Sequence, residues 1–196
     1  YRIYTYLKYA GVRSLDYVFV SHPDKDHISG IYELIDMCDN TFEIKNIVLP
    51  HINNTDETLL EISKMADRAG INVLYACRGD ALSAGNLSIS CVHPCKNYNY
   101  ESANDYSAVY LISFGKFSML MTGDAESKAE KCLIQDARKS DSVVDRRQRQ
   151  MCIRDRTLQR LKEAGTKVYR TDDRGEIMVR VWEDSYAIEV FGEQKE

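Results

Sequence analysis

The stretch Leu15-Asp16-Tyr17-Val18-Phe19-Val20-Ser21-His22-Pro23-Asp24-Lys25-Asp26-His27-Ile28-Ser29-Gly30 runs from an apolar segment straight into a cluster of ionisable side chains. Its first part is short, β-branched and aromatic, and reads as a strand over 16–20. Beyond it, Ile28, Ile31, Leu34, Ile35 and Cys38 recur at helical spacing and predict a helix over 29–38. The hexapeptide from His22 to His27 is then a strand-to-helix loop. In such a loop His22, Asp24, Asp26 and His27 can all reach one small volume, which strand alternation or a single helix face would divide.

Two imidazoles and two carboxylates within six residues are costly to hold together unless a divalent cation neutralises them. Imidazole nitrogen and carboxylate oxygen suit Zn²⁺ and Mn²⁺, and the lack of a neighbouring thiol argues against a closed structural zinc site. Mixed ligands of this kind point to catalysis. The structural alternative is a polar loop whose Asp26 caps the next helix, with solvated histidines and with Pro23 and Gly30 as ordinary turn residues. Four candidate ligands at one strand end favour the metal site.

A second segment carries similar chemistry. Phe117 to Met121 is an apolar strand, and Thr122-Gly123-Asp124 turns out of it towards a polar helix expected over 126–137. Alone, Asp124 could be a helix cap; with the hexapeptide upstream it becomes a candidate ligand. His93 follows a strand over 87–92 and precedes Pro94, so it can sit near a site at that strand's end. His51, after Val48-Leu49-Pro50, is equally compatible with a solvated loop and with a substrate groove.

These residues resemble a known family. The metallo-β-lactamase superfamily carries an HxHxDH loop after a strand, and this chain has HPDKDH, with Asp24 where the second His usually stands. With the following Ile28-Ser29-Gly30, the loop looks like that of the hydrolase domain of ComEC-type DNA-internalisation competence proteins and their stand-alone relatives. Asn104 to Ser107 (NDYS), the strand pair ending in Met121-Thr122-Gly123-Asp124, and Leu161 to Gly175 (LKEAGTKVYRTDDRG) occur in the order that family requires.

The resemblance implies an α/β fold, a metallo-β-lactamase-like αββα sandwich, here incomplete. It implies a metal-dependent phosphodiester hydrolase, a nuclease associated with DNA uptake, using two Zn or Mn ions. On that pattern His22 and Asp24 would ligate one metal, Asp26 and His27 the other, and Asp124 would bridge them. Asp26 would also be catalytic, orienting the attacking hydroxide. His93, Asn104 and Ser107 would support the ligands from behind or face the substrate. The implied partners are single-stranded or double-stranded DNA and the membrane channel portion of a longer parent protein. The implied location is the bacterial cell membrane, where this part would be a soluble domain on the extracytoplasmic face.

The chain also departs from the family pattern. No HHGS or YGHPH-like motif follows the TGD turn, and His93 is the last histidine. The strands carrying DVGQGD that normally open the family are expected to precede this chain. Alternative readings are therefore a catalytically dead or chimeric remnant of the fold and a stand-alone metallo-β-lactamase-type hydrolase of another ester substrate; Asp24 in place of His and the NDYS segment disfavour a β-lactam or thioester hydrolase. A basic DNA-binding module is a further alternative.

That last alternative rests on Ser142 to Arg156 (SVVDRRQRQMCIRDR), with five arginines against two aspartates in a chain of net charge −4. Its composition breaks abruptly with its surroundings, and it resembles library-adapter sequence read as protein. A genuine basic loop on phosphates is the other reading. The acidic remainder does not advertise nucleic-acid binding.

With 196 residues, 44% hydrophobic and 29% charged, the chain fits one domain with a substantial core. The expected organisation is an N-terminal part over 1–141 holding HPDKDH and TGD, the anomalous segment 142–156, and a C-terminal helix and strands over 157–196. No apolar run spans a bilayer, and the first residues lack a signal-peptide layout. Helices are expected over 2–9, 29–38, 56–69, 126–137 and 157–164. Strands are expected over 16–20, 45–49, 72–75, 87–92, 108–114, 117–122, 167–170, 177–182 and 186–191, and alternation followed by hairpins fits a layered α/β arrangement. The six cysteines (Cys38, Cys77, Cys91, Cys95, Cys132, Cys152) are dispersed and read as structural.

Overall fold

The computed structural model describes residues 2–39, 41–52, 56–96, 104–125, 167, 169 and 175–191. The expected helices over 126–137 and 157–164, the basic segment 142–156 and half of the strand over 167–170 lie outside these residues, as do Cys132 and Cys152.

The described chain is a mixed α/β structure. Helix α1 (Arg2–Tyr9), strand β1 (Ser14–Phe19), helix α2 (Lys25–Asp36), strand β2 (Glu43–Pro50), helix α3 (Glu57–Arg68) and strand β3 (Asn72–Ala76) alternate first. Parallel pairing orders the strands β1-β2-β3. Strands β4 (Ala81–Ala84), β5 (Leu87–His93), β6 (Val109–Phe114) and β7 (Phe117–Met121) form an antiparallel sheet in sequence order. A hairpin of β8 (Glu176–Val181) and β9 (Tyr186–Phe191) makes a third, two-stranded sheet.

Side-chain alternation along β2 explains the layering. Ile47 and Leu49, both fully buried, pack with Ile28, Ile31, Leu34 and Ile35 of α2 and Leu59, Ile62 and Ala66 of α3. Val48, on the opposite face, joins Cys91, Ala108 and Tyr110 of the antiparallel half. Phe19 meets Tyr110 edge-on at 4.8 Å between centroids. Towards its carboxyl end the parallel sheet is thus apolar on both faces, as the run Ile47-Val48-Leu49-Pro50 of β2 requires. The β8-β9 hairpin touches α1, where the Tyr6 ring lies 5.0 Å from that of Phe191.

Three local readings are corrected. Helix α2 begins at Lys25, so Asp26 and His27 belong to its first turn and only His22 to Asp24 form the loop. Asp24, not Asp26, occupies the N-cap position, and its side chain makes no capping bond. Strand β4 was not anticipated: Ala-Leu-Ser-Ala has little β propensity, but Gly85 (φ +57) and Asn86 close a two-residue hairpin that pairs Ala84 with Leu87. That Gly-Asn turn was the available signal. Elsewhere the expectation holds well: the helix expected over 56–69 is α3, with Gly70 (φ +73) just past its end, and Asp56 is its cap, accepting from the Thr58 and Leu59 N–H groups.

Candidate metal centre

The carboxyl end of β1 delivers Ser21 and His22 to the edge where the two main sheets meet. The Val20 N–H donates to the Val48 carbonyl at 2.9 Å, and the Ala108 N–H donates to the Ser21 carbonyl at 2.7 Å. One bond continues the parallel sheet and the other reaches the segment leading into β6. The hexapeptide is therefore clamped between the sheets.

From there the side chains converge. His22 is fully buried, and its ring centroid lies 4.1 Å from that of His27. His27 Nε2 is 3.4 Å from Asp124 Oδ1, which arrives from the turn after β7. Ligand atoms of His22, His27 and Asp124 all lie within 4.8 Å of one another. Asp24 Oδ2 stands 3.5 Å from His22 Nε2, and Asp26 Oδ2 stands 3.7 Å from His27 Nε2. Asp24 and Asp26 thus border the three-residue group from outside it, Asp26 with a largely exposed side chain.

The remaining candidates lie behind this group. His93 is fully buried, and its Nδ1 donates to the Ser107 carbonyl at 2.8 Å. The Ser107 hydroxyl, also buried, accepts the Asp124 N–H at 3.2 Å. Ser107 therefore connects His93 to the backbone of Asp124. Asn104 opens a short 3₁₀ turn (Asn104–Tyr106), and its carbonyl accepts the Ser107 N–H at 3.0 Å. His93 is as fully buried as His22, but it is not in the group formed by His22, His27 and Asp124. His51, at the end of β2, has its N–H bonded to the Ala76 carbonyl at 2.9 Å.

One residue of the site escaped the sequence reading. Ser21 Oγ lies 3.1 Å from His22 Nδ1 and 3.4 Å from His27 Nδ1. Gly123, in the left-handed conformation (φ +52), packs directly over Ser21. Ser21's place at the strand end beside His22 was the only signal, and a serine there is unremarkable by itself.

The donor set fits a divalent cation. Buried His22 Nε2 has no hydrogen-bond partner among the described residues, an uncommon state for a buried polar atom. Burial, with a contribution from His27, lowers the His22 pKa, so the ring is neutral near pH 7 and its lone pair is available. Two imidazoles and a carboxylate combine borderline nitrogen with hard oxygen, a set suited to Zn²⁺ or Mn²⁺.

Comparison with known proteins gives a distant relation. The chain is 26% identical over 125 residues to ComE operon protein 3 of Bacillus subtilis (strain 168), a match covering 64% of this chain and 16% of that protein. Among solved structures it is similar to CmlA, a diiron beta-hydroxylase from Streptomyces venezuelae, with 15% identity and a TM-score of 0.46. That match covers 68% of this chain and 24% of the other. No protein-family model matches the chain. Among the described residues, no helix is long and apolar enough to cross a membrane.

Proposed function

We propose that this chain is the hydrolase part of a competence-type protein, an incomplete metallo-β-lactamase-like αββα sandwich that cleaves phosphodiester bonds with the help of divalent metal. The observation that carries the reading is the convergence of Asp124 with His22 and His27, from which it is far removed in sequence, with the donor atoms of all three within 4.8 Å of one another. The similarity to ComE operon protein 3 supports it independently.

In this reading His22, His27 and Asp124 hold the metal, with Asp24 and Asp26 completing its surroundings. A bound divalent ion supplies Lewis acidity, polarising a phosphoryl oxygen and lowering the pKa of an attacking water. Asp26, exposed at the rim, is placed to accept that water's proton. Ser107 and His93 hold the Asp124 backbone in position, and Asn104 supports Ser107. The substrate is a DNA strand handled during uptake. The acidic chain binds it weakly by itself, so a channel portion of a longer, membrane-associated parent delivers the strand.

The test is metal content and Zn²⁺- or Mn²⁺-dependent cleavage of single-stranded DNA by the chain and by Asp124→Ala. Cleavage that needs metal and disappears in the variant is expected. Failure to take up metal would sink the reading. Metal uptake without cleavage would favour the remnant, for which the absence of any histidine after His93 is the specific observation.

A further inference from the structure

Both histidines of the proposed centre turn the same ring nitrogen towards one hydroxyl. His22 Nδ1 and His27 Nδ1 lie 3.1 and 3.4 Å from Ser21 Oγ, the second at the outer edge of a hydrogen bond. Their Nε2 atoms face carboxylates instead: Asp24 at 3.5 Å from His22, and Asp124 and Asp26 at 3.4 and 3.7 Å from His27. These separations exceed ordinary hydrogen-bond lengths, and His22 Nε2 has no hydrogen-bond partner among the described residues.

A hydroxyl oxygen has two acceptor lone pairs and a single proton. If Ser21 donated to either Nδ1, that neutral ring would carry its proton on Nε2, the atom facing the metal position. If Ser21 accepts from both, both rings are Nδ1–H tautomers and both Nε2 lone pairs are open. Accepting from both keeps both contacts to Ser21 and opens both Nε2 lone pairs, whereas donating to one ring and accepting from the other would keep the contacts but close one of those lone pairs.

We infer that Ser21 is a positioning residue that sets the tautomer of His22 and His27 together, presenting a matched pair of Nε2 donors to a divalent cation. The inference rests on the metal reading above, and its tautomers are observable without metal. Gly123 secures the serine: a Cβ at that position would lie 2.7 Å from Ser21 Cβ and 3.2 Å from Ser21 Oγ. The same TGD turn that carries Asp124 therefore closes over the hydroxyl that orients the two histidines.

The experiment is long-range ¹H–¹⁵N NMR of the imidazoles in the metal-free full chain at pH 8, followed by Zn²⁺ titration of wild type, Ser21→Ala and Ser21→Thr. Protonated Nδ1 and unprotonated Nε2 are expected on both rings of the wild type. Ser21→Ala should move the rings towards Nε2–H and weaken Zn²⁺ binding by about 10–100-fold, as loss of a group orienting a metal-bound histidine typically does. Ser21→Thr, which keeps the hydroxyl, should restore the Nδ1–H signature. Either ring found as Nε2–H in the wild type overturns the inference, whether or not Zn²⁺ binds. So does a loss of affinity in Ser21→Ala with unchanged tautomers. Correct tautomers without Zn²⁺ binding would support the Ser21 assignment while overturning the metal reading.

Discussion

Gly123 lies against Ser21 so closely that a Cβ placed on the glycine would come within 2.7 Å of the serine Cβ. It also holds a left-handed backbone, φ +52, so conformation and contact both demand glycine at this point. The turn after β7 and the loop after β1 are thereby pressed together, and His27 and Asp124 are brought within 3.4 Å. Gly123→Ala should destabilise the chain by about 2–4 kcal/mol, combining left-handed strain with overpacking. Urea denaturation measures the loss, and Zn²⁺ titration should show weaker binding as Asp124 is displaced.

Asp24 and Asp56 occupy equivalent N-cap positions but serve differently. Asp56 accepts from the Thr58 and Leu59 N–H groups, each at 3.0 Å, whereas Asp24 makes no capping bond and stands beside His22. Asp56→Ala should cost about 1 kcal/mol and leave metal affinity unchanged. Asp24→Ala should cost well under that in stability yet weaken metal binding. Paired denaturation curves and titrations check the contrast, and equal stability losses in the two variants would refute it.

Stability should fall as the solution is acidified below neutrality. Burial lowers the His93 pKa, only partly opposed by its bond to the Ser107 carbonyl. The unfolded chain, near the ordinary value of about 6.5, therefore binds a proton before the folded chain does. Stability from this group is fully present above that value. It declines as pH falls through it by up to about 1.4 kcal/mol per pH unit, and levels off below the lowered folded value. Urea midpoints of the metal-free chain between pH 5 and 8 should show this slope. His93→Gln should be less stable overall, with a flatter profile.

Cys91 should be inert to alkylation in the folded chain. Burial pushes its thiol up to about 12, and its Sγ–H donates to the His93 carbonyl at 3.0 Å. Thiolate is the reactive form, so iodoacetamide at pH 8 should label the partly exposed Cys95 well before Cys91. Peptide mapping by mass spectrometry, with and without urea, reads the order; early labelling of Cys91 would contradict its packing.

Much of the fold was legible because local pattern and local structure agree. Asp56 and Gly70 bracket α3 by capping chemistry, and Ile28, Ile31, Leu34 and Ile35 mark the buried face of α2. The start of α2 was misread because Pro23 and the charged residues resemble a loop, although Lys25, Asp26 and His27 are compatible with a first helical turn. Strand β4 was missed because its alanines carry no strand preference; pairing with β5 holds it in place.

For the centre, the sequence alone determined which chemistry was within reach: His22, Asp24, Asp26 and His27 lie together by covalent connection, and Thr122-Gly123-Asp124 was recognisable as a turn. Tertiary structure decided which donors meet. It joins His22 and His27 to Asp124, leaves Asp24 and Asp26 at the border, buries His93 behind Ser107, and makes Ser21 a shared partner of two imidazoles. The reason is physical. Residue spacing encodes local backbone geometry, but the approach of β1 and the β7 turn is set by sheet register, by apolar packing between the sheets, and by one glycine that lets the turn close over the Ser21 side chain.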